Sequence, residues 1–429
     1  MSRQGGSFGT IFGGWLAIVS LPMLLVFDSC CAMLWGWTPR LDGALGQLHW
    51  PALAAIVASA GLLFISRLRR LLATRLGQLW LASGAMLIAL LLGELMLRTI
   101  RAPAPFHRRW PHARLEYDPD PNLFYGVKGP APATFNSLGL RGAQPPPRDS
   151  AYRVLCLGGS TTECFYLSDQ ECWPGRLQQL LANETGNYWV AGAGHDNYAS
   201  GEHRHFLERC EVTHQVDCVV LLVGGNDLLR TLLGLPCSMS TPPFWMQTSI
   251  VECLCELWNA RLQQGLYYDK SGRRWLTLRR ARPIPRTPID INDALQEFEK
   301  HLTHCAETCD QQGLRLILVT QPVLWSDVYT SAVEDRYCYV LPGSPTGVTR
   351  TPEECLNLID RYNDCTYQFC KKRGLTCVDA AASMNGREAF FYDDLHLNEP
   401  GCEQLAKLVA KGVSAIAPRL RVTGARQEH

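Results

Sequence analysis

Three short stretches of this sequence carry the residue types of acyl-transfer chemistry: "LGGST" around Ser160, "GGND" from Gly224 to Asp227, and "DDLH" from Asp393 to His396. A serine hydroxyl becomes a competent nucleophile once a base takes its proton, and His396 is the candidate base, histidine being the residue type suited to proton exchange near neutral pH. Asp393, three residues earlier, is of the type that holds an imidazole in one tautomer and stabilises its cation. The Ser160 backbone N–H and the Asn226 side-chain amide are donors of the kind that stabilise a developing oxyanion. Each stretch has a plainer reading when taken singly. The first is also a strand-to-helix turn with a capping serine, the second a capped turn and the third a solvated turn. Their order and spacing along one domain join them.

The surrounding pattern supplies elements to position them. Val154–Leu157 reads as a short buried strand, and Gly158 and Gly159 allow the tight turn that leaves Ser160 at its carboxyl end. Further strands are expected at Tyr188–Ala191, Cys218–Val223, Leu314–Thr320 and Thr376–Val378. Amphipathic helical stretches alternate with them at Trp173–Ala182, Glu202–Val212, Ala294–Gln312, Pro352–Lys372 and Gly401–Ile416. Such alternation implies an α/β fold with a parallel sheet and helices on both faces, whose carboxyl edge is where ligands bind. The rhythm breaks over residues 228–290, an insertion rich in Pro, Trp and Arg that reads as a lid or substrate loop.

The 429 residues divide unevenly. Residues 1–100 hold three apolar stretches, Ile11–Val26, Trp50–Ser66 and Leu79–Met96, each near the span of a bilayer, and read as three transmembrane helices. Arg67, Arg69, Arg70 and Arg75 crowd the short second loop, which argues that it is cytoplasmic and that the chain beyond the third helix lies outside. Residues 101–150 form a Pro/Arg-rich stalk whose Phe135, Leu138 and Leu140 need burial, so it should pack on the domain at 151–418, with 419–429 a tail. Sixteen of the eighteen cysteines follow residue 150, as in a domain with disulfides. Cys164 with Cys172, and the group Cys365, Cys370 and Cys377, are the expected participants. His195, Glu202, His203 and His205 read as a solvated helix rather than metal ligands, and no metal or cofactor is expected. A net charge of +1 with no basic stripe excludes a nucleic-acid partner.

Over about residues 115–418 the chain resembles the SGNH (GDSL-type) hydrolases, with "LGGST" as their first block, "VGGND" the third and "DDLH" the last. "VTQPVLW", which contains Gln321, and "FNSLGLRG" resemble the membrane-anchored bacterial members. The resemblance implies a flavodoxin-like three-layer sandwich and a Ser160–His396–Asp393 triad. It implies an oxyanion hole from Ser160, Asn226 and a backbone N–H of the second block, "VAGAGHDNYAS". Two departures stand out. Gly159 replaces the usual aspartate before the serine. In the second block Gly192 stands at the usual asparagine and Asn197 at the oxyanion glycine, with Gly194 the alternative donor. Gly159, Thr161 and Gln321 are candidate substrate contacts. The expectation is a membrane-anchored serine esterase acting on a carboxylic ester, such as an acetyl ester, of an extracytoplasmic glycan. The alternatives are an O-acyltransferase using the same triad, and a catalytically silent domain that binds glycan or a membrane partner.

Overall fold

In segment 112–117, apolar Leu115 and Tyr117 alternate with Arg114 and Glu116, and this period of two makes strand β1 (Arg114–Tyr117). It pairs antiparallel with β2 (Ala131–Thr134), and together they bury Leu115, Tyr117, Ala131 and Ala133. The chain is described from a computed structural model over residues 82–94, 96, 112–183, 187–235, 271–272, 291–327, 331–337 and 350–417.

Five strands follow: β3 (Tyr152–Gly158), β4 (Tyr188–Gly194), β5 (Cys218–Leu222), β6 (Arg315–Val319) and β7 (Thr376–Val378). They form one parallel sheet in the order β4-β3-β5-β6-β7. The central β3 and β5 are buried along their whole length, which is why they read as continuous apolar runs rather than alternating ones. The order is that of a flavodoxin-like doubly wound sheet, with a switch point between β3 and β5.

The helices are α1 (Ser160–Glu163), α2 (Trp173–Ala182), α3 (Ser200–Arg209), α4 (Gly225–Leu232), α5 (Ile291–Gln312), α6 (Pro352–Arg373), α7 (Ala380–Met384) and α8 (Glu399–Ile416). Helix α2 packs against α8, whereas α3 packs on α5 and α5 on α6. Their ends follow local chemistry. Thr351 and Glu354 form a reciprocal capping box at α6, and Gly374 closes it at φ +66°. Asn398 caps α8 by accepting from the Gly401 N–H at 3.0 Å.

The rhythm does not break at residue 228, because Leu228, Leu229 and Leu232 bury one face of α4; the remainder of the insertion lies almost wholly outside the described residues. The apolar stretches at 11–26 and 50–66 also lie outside them. In the third stretch, residues 82–94 are helical with Met86, Ile88 and Leu91 exposed; among the described residues no helix is long and apolar enough to cross a membrane. The expected disulfides are corrected: among the described residues Cys164, Cys172, Cys365, Cys370 and Cys377 are free thiols. Most described cysteines serve as small apolar residues of the core, such as Cys156 in β3, Cys218 in β5, and Cys305 and Cys309 on α5. Burial pushes the Cys218 thiol up to about 12, which keeps it protonated and inert.

Candidate active site

Ser160 is the first residue of α1, where β3 ends at the switch point. Its Oγ lies 2.8 Å from His396 Nε2, and the other ring nitrogen, Nδ1, lies 2.8 Å from Asp393 Oδ2. Asp393 Oδ1 also accepts the backbone N–H groups of Leu395 at 2.9 Å and His396 at 2.7 Å. These bonds favour the carboxylate and fold the "DDLH" loop around it. A carboxylate at Nδ1 holds the proton there and leaves Nε2 as the acceptor facing the serine. Asp393 is fully buried, and the Tyr392 ring stacks on the imidazole at 5.6 Å between centroids and 9° between planes. Asp394 ties the loop to the chain after β6: its carboxylate accepts from Trp325 Nε1 at 2.8 Å and its carbonyl from the Leu324 N–H at 2.9 Å.

The segment after β4 carries Asn197 at φ +61°, in the left-handed region that asparagine tolerates better than most residues. A buried Glu202–Arg230 pair, 2.8 Å apart, holds this loop. Arg230 donates to the Asn197 carbonyl at 2.5 Å, and Glu202 accepts the Ala199 N–H at 2.9 Å. Glu163 of α1 accepts the Asp196 N–H at 2.7 Å. Asn226, at the start of α4, donates one Nδ2 proton to the Tyr198 carbonyl at 2.8 Å, which leaves its second amide proton for another acceptor. The glycine before the nucleophile now has a reason. A Cβ on Gly159 would lie 2.4 Å from Asn226 Nδ2 and 3.0 Å from the Tyr198 oxygen. Gly194 stands in β4 beside Gly158, where a Cβ would lie 2.0 Å from the Glu163 nitrogen, so close packing excludes a side chain there.

Gly159, Ser160, Thr161, Asn226 and Gln321 line one small cavity. The Thr161 hydroxyl lies 3.4 Å from Gln321 Oε1, and Gln321 Nε2 donates to the Pro322 carbonyl at 2.8 Å. His203, read from sequence as part of a solvated helix, is buried and lines the same cavity with Leu222 and Leu395. Sequence reasoning missed the Glu202–Arg230 pair as well; a glutamate 28 residues from its partner has no local signature. A second Ser–His–Asp grouping lies behind the loop. Ser200 Oγ sits 2.5 Å from Asp227 Oδ1 and 2.8 Å from His301 Nδ1. There the serine lies between the other two, its proton goes to the carboxylate, and it is fully buried, so the grouping anchors the start of α3.

The chain is similar to solved structures at low identity. One is described as TesA, with 14% identity and a TM-score of 0.38, covering 62% of this chain and 99% of that one. Another is Axe2, an acetylxylan esterase from Geobacillus stearothermophilus, with 13% identity and a TM-score of 0.36, covering 64% of this chain and 98% of that one. No match was found among the curated proteins. The family model of the GDSL-like lipase/acylhydrolases matches residues 156–404, more than half of the chain and the whole stretch from β3 into α8. With that span matched, the chain belongs to the GDSL-like lipase/acylhydrolase family and is a carboxylic ester hydrolase.

Proposed function

We propose that this protein is a membrane-anchored serine esterase that removes an acetyl group from a glycan outside the cytoplasmic membrane. The observation that carries the reading is the unbroken line from Asp393 through His396 to Ser160, with 2.8 Å at each link. Ser160 attacks the ester carbonyl while His396 Nε2 takes its proton. The imidazolium, held by Asp393, then gives that proton to the departing sugar hydroxyl. Water hydrolyses the acyl-enzyme with His396 again as base. The N–H groups of Ser160 and Asn197 and the second Asn226 amide proton stabilise the oxyanion, each donor contributing about 2.7–4 kcal/mol in sites of this kind.

Acetyl is favoured because the cavity beside Ser160 is only about 10 Å³, room for about one water-sized group such as a methyl. The outward placement rests on the arginines of the second loop. The glycan rests on that placement and on family analogy.

The test uses the full-length chain with a fluorophosphonate probe and p-nitrophenyl esters. Label is expected on Ser160 alone, and Ser160→Ala and His396→Ala should each abolish acetate-ester hydrolysis. The butyrate ester should turn over at least about tenfold more slowly than the acetate. An unlabelled Ser160, with hydrolysis intact in Ser160→Ala, would end the reading.

A further inference from the structure

Arg141 lies outside the family-matched span, yet its side chain is 5% exposed and reaches the turn that follows the nucleophile. Its Nη1 donates to the carbonyls of Glu163 at 2.5 Å and Cys164 at 3.1 Å, and its Nη2 to that of Leu167 at 2.5 Å. Nε is held by Asp169 Oδ1 at 2.9 Å. Asp169 in turn accepts from the Thr134 N–H and hydroxyl at the end of β2. The Arg141 backbone exchanges two 2.8 Å hydrogen bonds with Gly192 of β4, so the guanidinium is anchored to the sheet.

The clamped turn needs holding. Cys164, which ends α1, has φ +53°, and Tyr166 has φ +63°. Neither is glycine, and such conformations persist only where surrounding structure imposes them. The turn also touches the other half of the triad. The Tyr166 ring lies 6.3 Å from Tyr392, and Tyr392 stacks on His396. One fork therefore holds the carboxyl end of the four-residue helix that begins with Ser160, together with the aromatic ring that backs the imidazole's own stacking partner.

We propose that Arg141 is a positioning residue that sets the distance and angle between Ser160 and His396 by holding the left-handed turn at residues 163–167. The upstream segment 112–142 is on this reading part of the catalytic unit rather than a spacer. Lysine does not replace the fork, because an ammonium is a point charge and cannot serve three divergent carbonyls in a fixed plane.

This inference rests on Ser160 being the nucleophile, so the first measurement is fluorophosphonate labelling of the wild-type full-length chain. The second is kcat per labelled site for Arg141→Met and Arg141→Lys, with a thermal melt of each. Arg141→Met should lose about 10²-fold in kcat per site, the scale of an ångström-level misplacement, with KM changed less than about threefold. Arg141→Lys should fall between Arg141→Met and the wild type. Adding Cys164→Gly, which removes the penalty of the left-handed φ, should restore part of the lost kcat in either background. A residue that only stabilised the fold would lower the melting temperature and the number of labelled sites but leave kcat per site unchanged. That result, in Arg141→Met or in Arg141→Lys if the former does not fold, would overturn the proposal while leaving Ser160 as nucleophile. A wild-type chain without label on Ser160 would overturn both.

Discussion

Substituting Gly159 by alanine tests the oxyanion geometry at its tightest point. The new Cβ would lie 2.4 Å from Asn226 Nδ2, whereas ordinary contact begins near 3.4 Å, so the amide must retreat by about 1 Å. It cannot retreat freely, because it donates to the Tyr198 carbonyl, which the same Cβ would approach to 3.0 Å. Misplacement on that scale costs about 10²-fold, and complete loss of one oxyanion donor about 10²–10³-fold. Gly159→Ala should therefore lower kcat for p-nitrophenyl acetate by about 10²-fold with little change in KM, since the donor acts on charge that appears only in the transition state. Asn226→Ala should lose a similar factor. The double variant should be no worse than Asn226→Ala alone, because both changes remove one interaction. A Gly159→Ala enzyme within about threefold of wild-type kcat would refute the assignment of Asn226 as a donor, and so would additive losses in the double variant.

Asn197→Gly should keep or raise kcat, because only a backbone N–H is required there and glycine adopts φ +61° without penalty; a tenfold loss in steady-state turnover would show that the asparagine side chain takes part. Burial pushes the Asp227 carboxyl up to about 6 against the favourable bonds from Ser200. Its folded value thus exceeds the unfolded value of about 3.9, so the native state holds the extra proton between the two and stability falls as pH rises through that window, by about 3 kcal/mol. Asp227→Asn should gain stability relative to wild type between about pH 4 and pH 8, and denaturant midpoints that move in parallel would contradict this. Alkaline phosphatase fused after residue 105 should be active in intact cells, whereas an inactive fusion with fluorescence from a cytoplasmic reporter at the same site would place the domain inside.

The chemistry was legible in the sequence because each member of the site ends or begins an element with a local signature. Ser160 follows a buried run and two glycines, Asn226 follows another, and Asp393 and His396 lie three apart just before a capped helix. Local hydrophobic pattern and turn chemistry are short-range properties, so strands, helices and the sheet edge could be read directly. The cysteine load after residue 150 pointed to disulfides, yet a thiol packs in a core as readily as it pairs, and only the surroundings of Cys156 or Cys305 distinguish the two. Other features needed the tertiary structure. Gly159 is small because Asn226 and Tyr198, from two other loops, crowd it. Glu202 and Arg230 are buried because each neutralises the other across 28 residues. Arg141, the arginine of "FNSLGLRG", had no role legible in the sequence until the fold brought it to three carbonyls behind Ser160. Buried charge is tolerated only where partners converge, and that convergence is a property of the folded chain, not of any local pattern.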